Sequence, residues 1–270
     1  MVEFHLGNFK IASTILENAC SVQREILGNE HSRVARTMYH LAVIKRNQFK
    51  IERATQLRNQ ALRIQMSTLG QYNPDTIDTQ MEIAKVHLDS DLFDEALKEF
   101  ENVFNTQKEM LGTDHPDRAW TLHFIGICYS KMGDNKRSMM YFERCYRMQT
   151  QFFKFDSPAV ASTMDQIGQT LLKQDKLEKA FRAFQDVERI YREVGEDHYG
   201  VAFSLYNMGR FYSAKCKYAD SLRCFKESMR IAVRTFGLDH VGVGNQNARK
   251  CDFDEAKSEF KLALQIYNYV

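Results

Sequence analysis

The chain is short of the residues that break helices, cross membranes or carry chemistry. It has three prolines in 270 residues, and none falls inside a periodic apolar segment. Interior helix breaks are therefore not expected. No apolar run approaches the roughly 18 residues of a membrane-spanning helix, and Met1-Val2-Glu3-Phe4-His5 lacks the basic region and apolar core of a secretory signal. Long runs of like charge are missing, and 37 basic residues against 35 acidic ones leave +2. That balance lacks the massed positive charge of a nucleic-acid surface. The six cysteines, Cys20, Cys128, Cys145, Cys216, Cys224 and Cys251, form no Cys-x-x-Cys pair, and no His-Glu-x-x-His or phosphate-loop pattern occurs. Most of these cysteines sit in helical apolar patterns as small reduced hydrophobes, which fits a cytosolic or nuclear compartment, and the expected location is cytoplasmic. The expectations are no catalytic residues, no metal, no cofactor, no nucleic acid and no membrane insertion.

What the chain has is a phrase that returns. It reads Leu27-Gly28-Asn29-Glu30-His31, then Leu69-Gly70 with Pro74, then Leu111-Gly112-Thr113-Asp114-His115-Pro116. It comes back as Val194-Gly195-Glu196-Asp197-His198 and Phe236-Gly237-Leu238-Asp239-His240. Gly28, Gly70 and Gly112 are 42 residues apart, and Gly195 lies two periods less one residue further on. A fixed period of this length is the signature of a repeat solenoid. His31, His115, His198 and His240 recur with the period, so each is expected to cap or pack locally rather than share a metal.

Within one period, Pro116 suits the first turn of a helix. Ala119, Leu122, Ile125-Gly126 and Tyr129 follow at three- and four-residue spacing and mark one helical face. Gly133-Asp134-Asn135 reads as a tight turn, and Met139, Phe142, Cys145, Tyr146 and Met148 mark a second helix. The next periods repeat the plan, so each period is a helical hairpin that buries its faces only by stacking on its neighbours. Gly126, Gly168 and Gly209 fall inside first helices at one phase. Interior glycine costs about 1 kcal/mol of helix propensity, so its return predicts close approach of the paired helix. Ala54, Ala96, Ser138, Ala180, Ser221 and Ala256 are the small residues expected to meet it on the second helices.

The pairs Gly126…Tyr129 and Gly209…Tyr212, with Ala96-x-x-x-Phe100-x-x-Val103, Ala180-x-x-x-Phe184-x-x-Val187 and Ala256-x-x-x-Phe260-x-x-Ala263, resemble the tetratricopeptide repeat (TPR). The 42-residue form with Leu-Gly-x-Asp-His-Pro between hairpins is similar to the kinesin-light-chain and nephrocystin-3 type. The resemblance covers nearly the whole chain. It implies an all-α, right-handed superhelical solenoid of antiparallel hairpins over 1–270. The expected division is a partial hairpin at 7–30, repeats at 31–72, 73–114, 115–156, 157–197 and 198–239, and a shortened repeat at 240–270.

In that fold the first helices line the concave face. Carrying over the groove positions gives Arg36, Tyr39, Val43 and Arg46, then Met81 and Lys85, then Trp120, His123 and Ile127. Asp165 and Gln169 follow, then Phe203, Tyr206, Asn207 and Arg210. Trp120, the sole tryptophan, is the expected anchor, because Trp, Tyr and Arg dominate binding hot spots. The paired asparagines of the kinesin-light-chain groove survive here only as Asn207. The functional expectation is a non-catalytic scaffold or adaptor that holds a peptide or protein segment in the groove. A second reading is a structural subunit of a cytoskeletal, ciliary or motor-associated assembly that uses the convex face or the ends.

Overall fold

The computed structural model describes residues 9–48 and 50–236. The shortened repeat expected over 240–270, with His240, Cys251 and Ala256, lies outside the described residues. Among them are eleven α-helices and no strand. These are α1 (Phe9–Leu27), α2 (Ser32–Asn47), α3 (Ile51–Thr68), α4 (Pro74–Asp89), α5 (Phe93–Leu111), α6 (Pro116–Lys131), α7 (Asn135–Phe152), α8 (Pro158–Lys173), α9 (Leu177–Val194), α10 (Tyr199–Ala214) and α11 (Tyr218–Phe236). Helices next to one another in sequence pack on one another from α1 to α5 and from α7 to α11, and α8 also touches α10. This is an all-α repeat solenoid. The described residues form two compact units, 9–124 and 125–236, divided within α6.

The joints between hairpins follow from local chemistry. Gly28, Gly70 and Gly112 hold φ of 84°, 81° and 82°, a left-handed conformation that ends the preceding helix without a Cβ penalty. The next helix then begins on a side-chain cap. Nδ1 of His31, His115 and His198 accepts a hydrogen bond from the backbone N–H of Arg33, Asp117 and Gly200 at 3.1, 3.2 and 3.1 Å. Asn73 and Ser157 cap α4 and α8 ahead of Pro74 and Pro158. The recurring histidines thus satisfy helix N-termini. Among the described residues, no group of His, Cys, Asp and Glu could hold a metal ion.

Within hairpins, the second helix presses onto the first. A Cβ on Gly126, Gly168 or Gly209 would stand 2.6, 2.5 or 2.6 Å from the ring of Phe142, Phe184 or Phe225. Glycine at these three positions lets the ring sit without a shift, and in the earlier hairpin Ala84 stands at the same register before Phe100. Ala54, Ala96, Ser138, Ala180 and Ser221 are fully buried on the second helices, and the Ser221 hydroxyl donates to the Gly209 carbonyl at 2.9 Å.

In the first unit, Val34, Ala35, Met38, Leu41 and Ala42 of α2 enclose Leu57, Ala61 and Ile64 of α3, with Cys20 of α1. In the second, Val160, Ala161 and Met164 of α8 share a core with Val187, Ile190 and Tyr191 of α9, and with Val201 and Leu205 of α10. Cys128, Cys145 and Cys224 are buried, and burial pushes their thiols up to about 12, 12 and 11. Cys216 departs from that pattern. It is exposed and occupies the hairpin turn at φ 58°, the position held by Asp91, Gly133 and Asp175 in other hairpins.

A pairing of polar residue types also recurs at the joints. Thr37 donates to Gln23 and Thr121 to Gln107, each at 2.7 Å and each across a joint between hairpins. Gln65 with Thr79, and Gln149 with Thr163, occupy the same positions and are likewise buried. The α9–α10 joint replaces this pair by Tyr191 and Ser204, and the Tyr191 ring lies against Gly200, where no side chain fits.

Candidate functional site

The first helices of unit one carry a continuous chain of contacts. It starts at Arg46 on α2, whose guanidinium lies 3.3 Å from the Glu82 carboxylate and 3.8 Å from Asp89 on α4. Glu82 also takes Arg58 of α3 at 3.3 Å and Lys85, one turn along α4, at 2.9 Å. The Lys85 ammonium stands 4.9 Å from the centre of the Phe124 ring on α6, within cation–π range. His123 meets Phe124 edge-on at 5.8 Å, and Trp120 meets His123 edge-on at 5.7 Å. Three first helices are therefore linked by charge and aromatic contact.

The electrostatics follow from burial. Desolvation works to raise the Glu82 carboxyl, but Lys85, Arg46 and Arg58 outweigh it and hold it below its ordinary value. Burial drives the Arg58 guanidinium down to about 10 against the pull of Glu82. Burial, with Glu82 and Asp78 nearby, pushes the Tyr39 phenol up to about 12. His123 is driven down to about 4 by burial alone, so it is neutral at physiological pH.

Arg58 was not legible as a core residue. It is fully buried at the position where the later hairpins place Phe100, Phe142, Phe184 and Phe225. Its partner Glu82 occupies the position of Phe124. The Arg58–Glu82 ion pair of the α3–α4 joint is thus the counterpart of the stacked rings Phe100 and Phe124, 5.3 Å apart, in the α5–α6 joint.

In unit two the first helices carry amides and aromatics. Asp165 on α8 accepts from Nδ2 of Asn207 on α10 at 2.9 Å and from Nε2 of Gln169 at 2.8 Å. The Arg210 guanidinium lies 5.9 Å from the Tyr206 ring centre, and Phe203 is tilted against Tyr206 at 6.4 Å.

The residues expected to line a groove divide by exposure. Arg36 is exposed, while Tyr39, Val43, Lys85, Trp120, Ile127, Gln169, Phe203 and Arg210 are half-buried. Met81, His123, Asp165, Tyr206 and Asn207 are buried. The half-buried set can touch a ligand directly, and the buried set can only shape and orient it. Buried Arg46, which follows Val43 among the expected groove positions, starts the unit-one chain, and Glu82 and Phe124, absent from the sequence-derived set, complete it. Their signal was Glu82 at the position next to Met81, a carboxylate where neighbouring repeats carry His40 and Phe124.

Comparisons with known proteins bear on this geometry. The tetratricopeptide repeat model matches residues 1–67, 75–151 and 159–233. Curated proteins give no match. Among solved structures, the chain is similar to nearly identical TPR-like repeats of kinesin light chain type from Podosopora anserina, with 19% identity, 76% of this chain and 98% of that one covered, and TM-score 0.60. It is similar to BtubC (BKLC) from P. vanneervenii at 16% identity, covering 85% and 91%, TM-score 0.66. A Rap protein complexed with competence and sporulation factor matches at 14% identity, covering 98% and 72%, TM-score 0.64.

Proposed function

The chain belongs to the tetratricopeptide repeat family, and on that premise we propose that it is a non-catalytic scaffold holding a protein or peptide segment against its first helices. One observation carries this reading: the contact chain Arg46–Glu82–Lys85–Phe124–His123–Trp120 crosses α2, α4 and α6. Half-buried Tyr39, Lys85 and Trp120 stand along it, and its charged members are held by buried partners. Rigid aromatics beside ordered polar groups present large contact area at low entropic cost. In unit two, Asp165 orients the amides of Asn207 and Gln169, and Phe203 and Arg210 supply the half-buried contacts. The ligand that suits such faces is an extended segment whose side chains meet aromatic shelves while its amides exchange hydrogen bonds. The Rap structure, solved with competence and sporulation factor, lends the fold a precedent for holding a second molecule.

The test uses Trp120 as its own reporter, since it is the sole tryptophan. A peptide library is selected on the immobilised chain, and binding is followed by tryptophan emission and by calorimetry. Trp120→Ala and Lys85→Ala are expected to weaken selected peptides at least tenfold with helicity unchanged. The same affinity in both variants and in Arg210→Ala would move function off the first helices.

A further inference from the structure

Helix α7 turns to solvent a face whose counterparts in unit two are neutralised. Its inner side is buried through Phe142 and Cys145, and the Phe142 ring lies against Gly126 of α6. On the opposite side Lys136, Met140, Arg144, Arg147 and Gln151 are exposed. At about 100° per residue they fall within about 40° of the direction of Met140. From Lys131 to Lys154 the chain carries six cations against two carboxylates, Asp134 and Glu143. Asp134 is already engaged by Arg137 at 2.8 Å, and that guanidinium also lies 5.1 Å from the centre of the Tyr129 ring.

The repeat supplies its own control. An arginine stands at one position of α7, α9 and α11, as Arg147, Arg189 and Arg230. On α9, Arg189 pairs with Glu193 at 3.0 Å, and on α11, Arg230 pairs with Glu227 at 2.6 Å. Counted along the repeat, those two carboxylates correspond to Gln151 and Arg144 of α7. One partner has become an amide and the other a second cation. Arg147 keeps a 3.4 Å bond from Nε to the backbone carbonyl of Glu143. Among the described residues, neither Arg147 nor Lys136 enters an ion pair. A guanidinium fork that its own chain leaves without a carboxylate is a bidentate seat for one from outside.

We propose that this face binds an acidic segment of another protein, whose carboxylates meet Lys136, Arg144 and Arg147 and whose apolar side chain lies on Met140, itself 53% exposed. Lys136 and Arg147 stand about 16 Å apart along the helix, a span that an extended segment crosses in about five residues. The partner therefore carries acidic residues on both sides of one apolar residue. The positive face is one helix wide, because the matching cations of α9 and α11 are paired. Nucleic acid draws its affinity from a longer track of neutralised phosphates, so the width favours a polypeptide. The site is separate from the first helices and adds a second docking surface to the scaffold.

The probe is a fluorescein-labelled peptide, Glu-Asp-Glu-Leu-Asp-Glu-Glu, titrated with the whole chain and read by anisotropy. Saturable binding is expected at low salt, with its loss at about 0.5 M NaCl. Lys136→Glu with Arg147→Glu should weaken it at least tenfold with circular dichroism unchanged, since both side chains are exposed. Gln151→Glu, which gives Arg147 the partner that Arg189 has, should weaken it about threefold. Arg189→Glu, at the neutralised counterpart, should leave it as it was. Absence of saturable binding, equal affinity in the double variant, or tighter binding of single-stranded RNA or of phosphatidylserine vesicles to the same residues would each overturn the proposal. So would self-association in sedimentation velocity that the same double variant removes, since the exposed Asp94, Glu95 and Glu101 of α5 would then make a second copy the occupant.

Discussion

The α3–α4 and α5–α6 joints meet through the same two positions of the repeat with opposite chemistry. At the first, Arg58 and Glu82 form a buried ion pair 3.3 Å apart, reinforced by Arg46 and Lys85. At the second, Phe100 and Phe124 stack at an interplanar angle of 9°. The backbone period decides which positions touch. It does not decide what touches there, and two solutions of unlike energetics close equivalent joints. Stacked rings gain from area and carry no desolvation debt, whereas buried charges lose hydration and recover it only through well-placed partners.

The largest expected effect comes from removing one charge of the ion pair. Glu82→Leu strands Arg58 in the core and is expected to cost about 3–5 kcal/mol in urea denaturation. Transplanting the ring pair, Arg58→Phe with Glu82→Phe, should be neutral or stabilising by about 1–4 kcal/mol. A transplant as damaging as the single change would show that the surrounding charges, Arg46, Lys85 and Asp89, have made that joint ionic beyond exchange.

Acid separates the joints next. Glu82 is held below its ordinary value of 4.5, so its contribution is full above that value and is lost as pH falls through the lowered folded one. His123, on the helix that carries Phe124, is depressed from 6.5 to about 4. Its unfolded form takes up a proton first, so its contribution is full above pH 6.5 and drains away down to about 4. The size is of the order of 2–3 kcal/mol. Urea midpoints recorded between pH 7 and pH 4 should fall steeply in the native chain and less steeply in His123→Leu; equal slopes would sink this assignment.

The glycine–ring contacts come third. Gly168→Ala places a Cβ 2.5 Å from Phe184, an overpacking expected to cost about 1–3 kcal/mol. Phe184→Leu in the same chain should recover part of that loss, which a thermal melt of the two variants measures. The smallest effect is at the surface. Arg63 and Glu30 pair at 2.7 Å with both side chains more than half exposed, and Arg63→Ala should leave the melt unchanged.

Much of this architecture was legible in the letters. The return of Gly126, Gly168 and Gly209 announced a close approach, and the ring of a phenylalanine sixteen residues on is what approaches. Other features were present in the letters but masked by residue type. Gln23, Gln65, Gln107 and Gln149 recur every 42 residues, as do Thr37, Thr79, Thr121 and Thr163. Polar residues in an amphipathic pattern read as a solvent face, so the amide–hydroxyl bonds of Gln23 with Thr37 and Gln107 with Thr121 are invisible to hydrophobic periodicity. Arg58 was hidden for the same reason, since arginine is almost never fully buried unless paired. The candidate site was legible in phase but not in depth. Four helix steps turn a side chain by a net of about 40° and carry it about 6 Å along the axis, and that is enough to separate half-buried Lys85 from buried Met81 on one helix. The loop that ends at His198 shows a further limit. Gly195 repeats the phrase, yet its φ of 168° is ordinary extended backbone, unlike the left-handed Gly28, Gly70 and Gly112. The period is one residue shorter here, so the same letter performs a different task.

The side-chain bonds that join neighbouring hairpins reach across one period and scarcely more. Lys173 to Ser130 spans 43 residues, Asn207 to Asp165 spans 42, and Tyr72 to Glu109 spans 37. Low contact order follows, and with it rapid closure of each loop and folding by local condensation rather than by a long search. Damage is local for the same reason. A lesion at Arg58 should raise hydrogen exchange in α3 and α4 and leave α11 at its native rate, so the chain behaves as a row of separately adjustable segments.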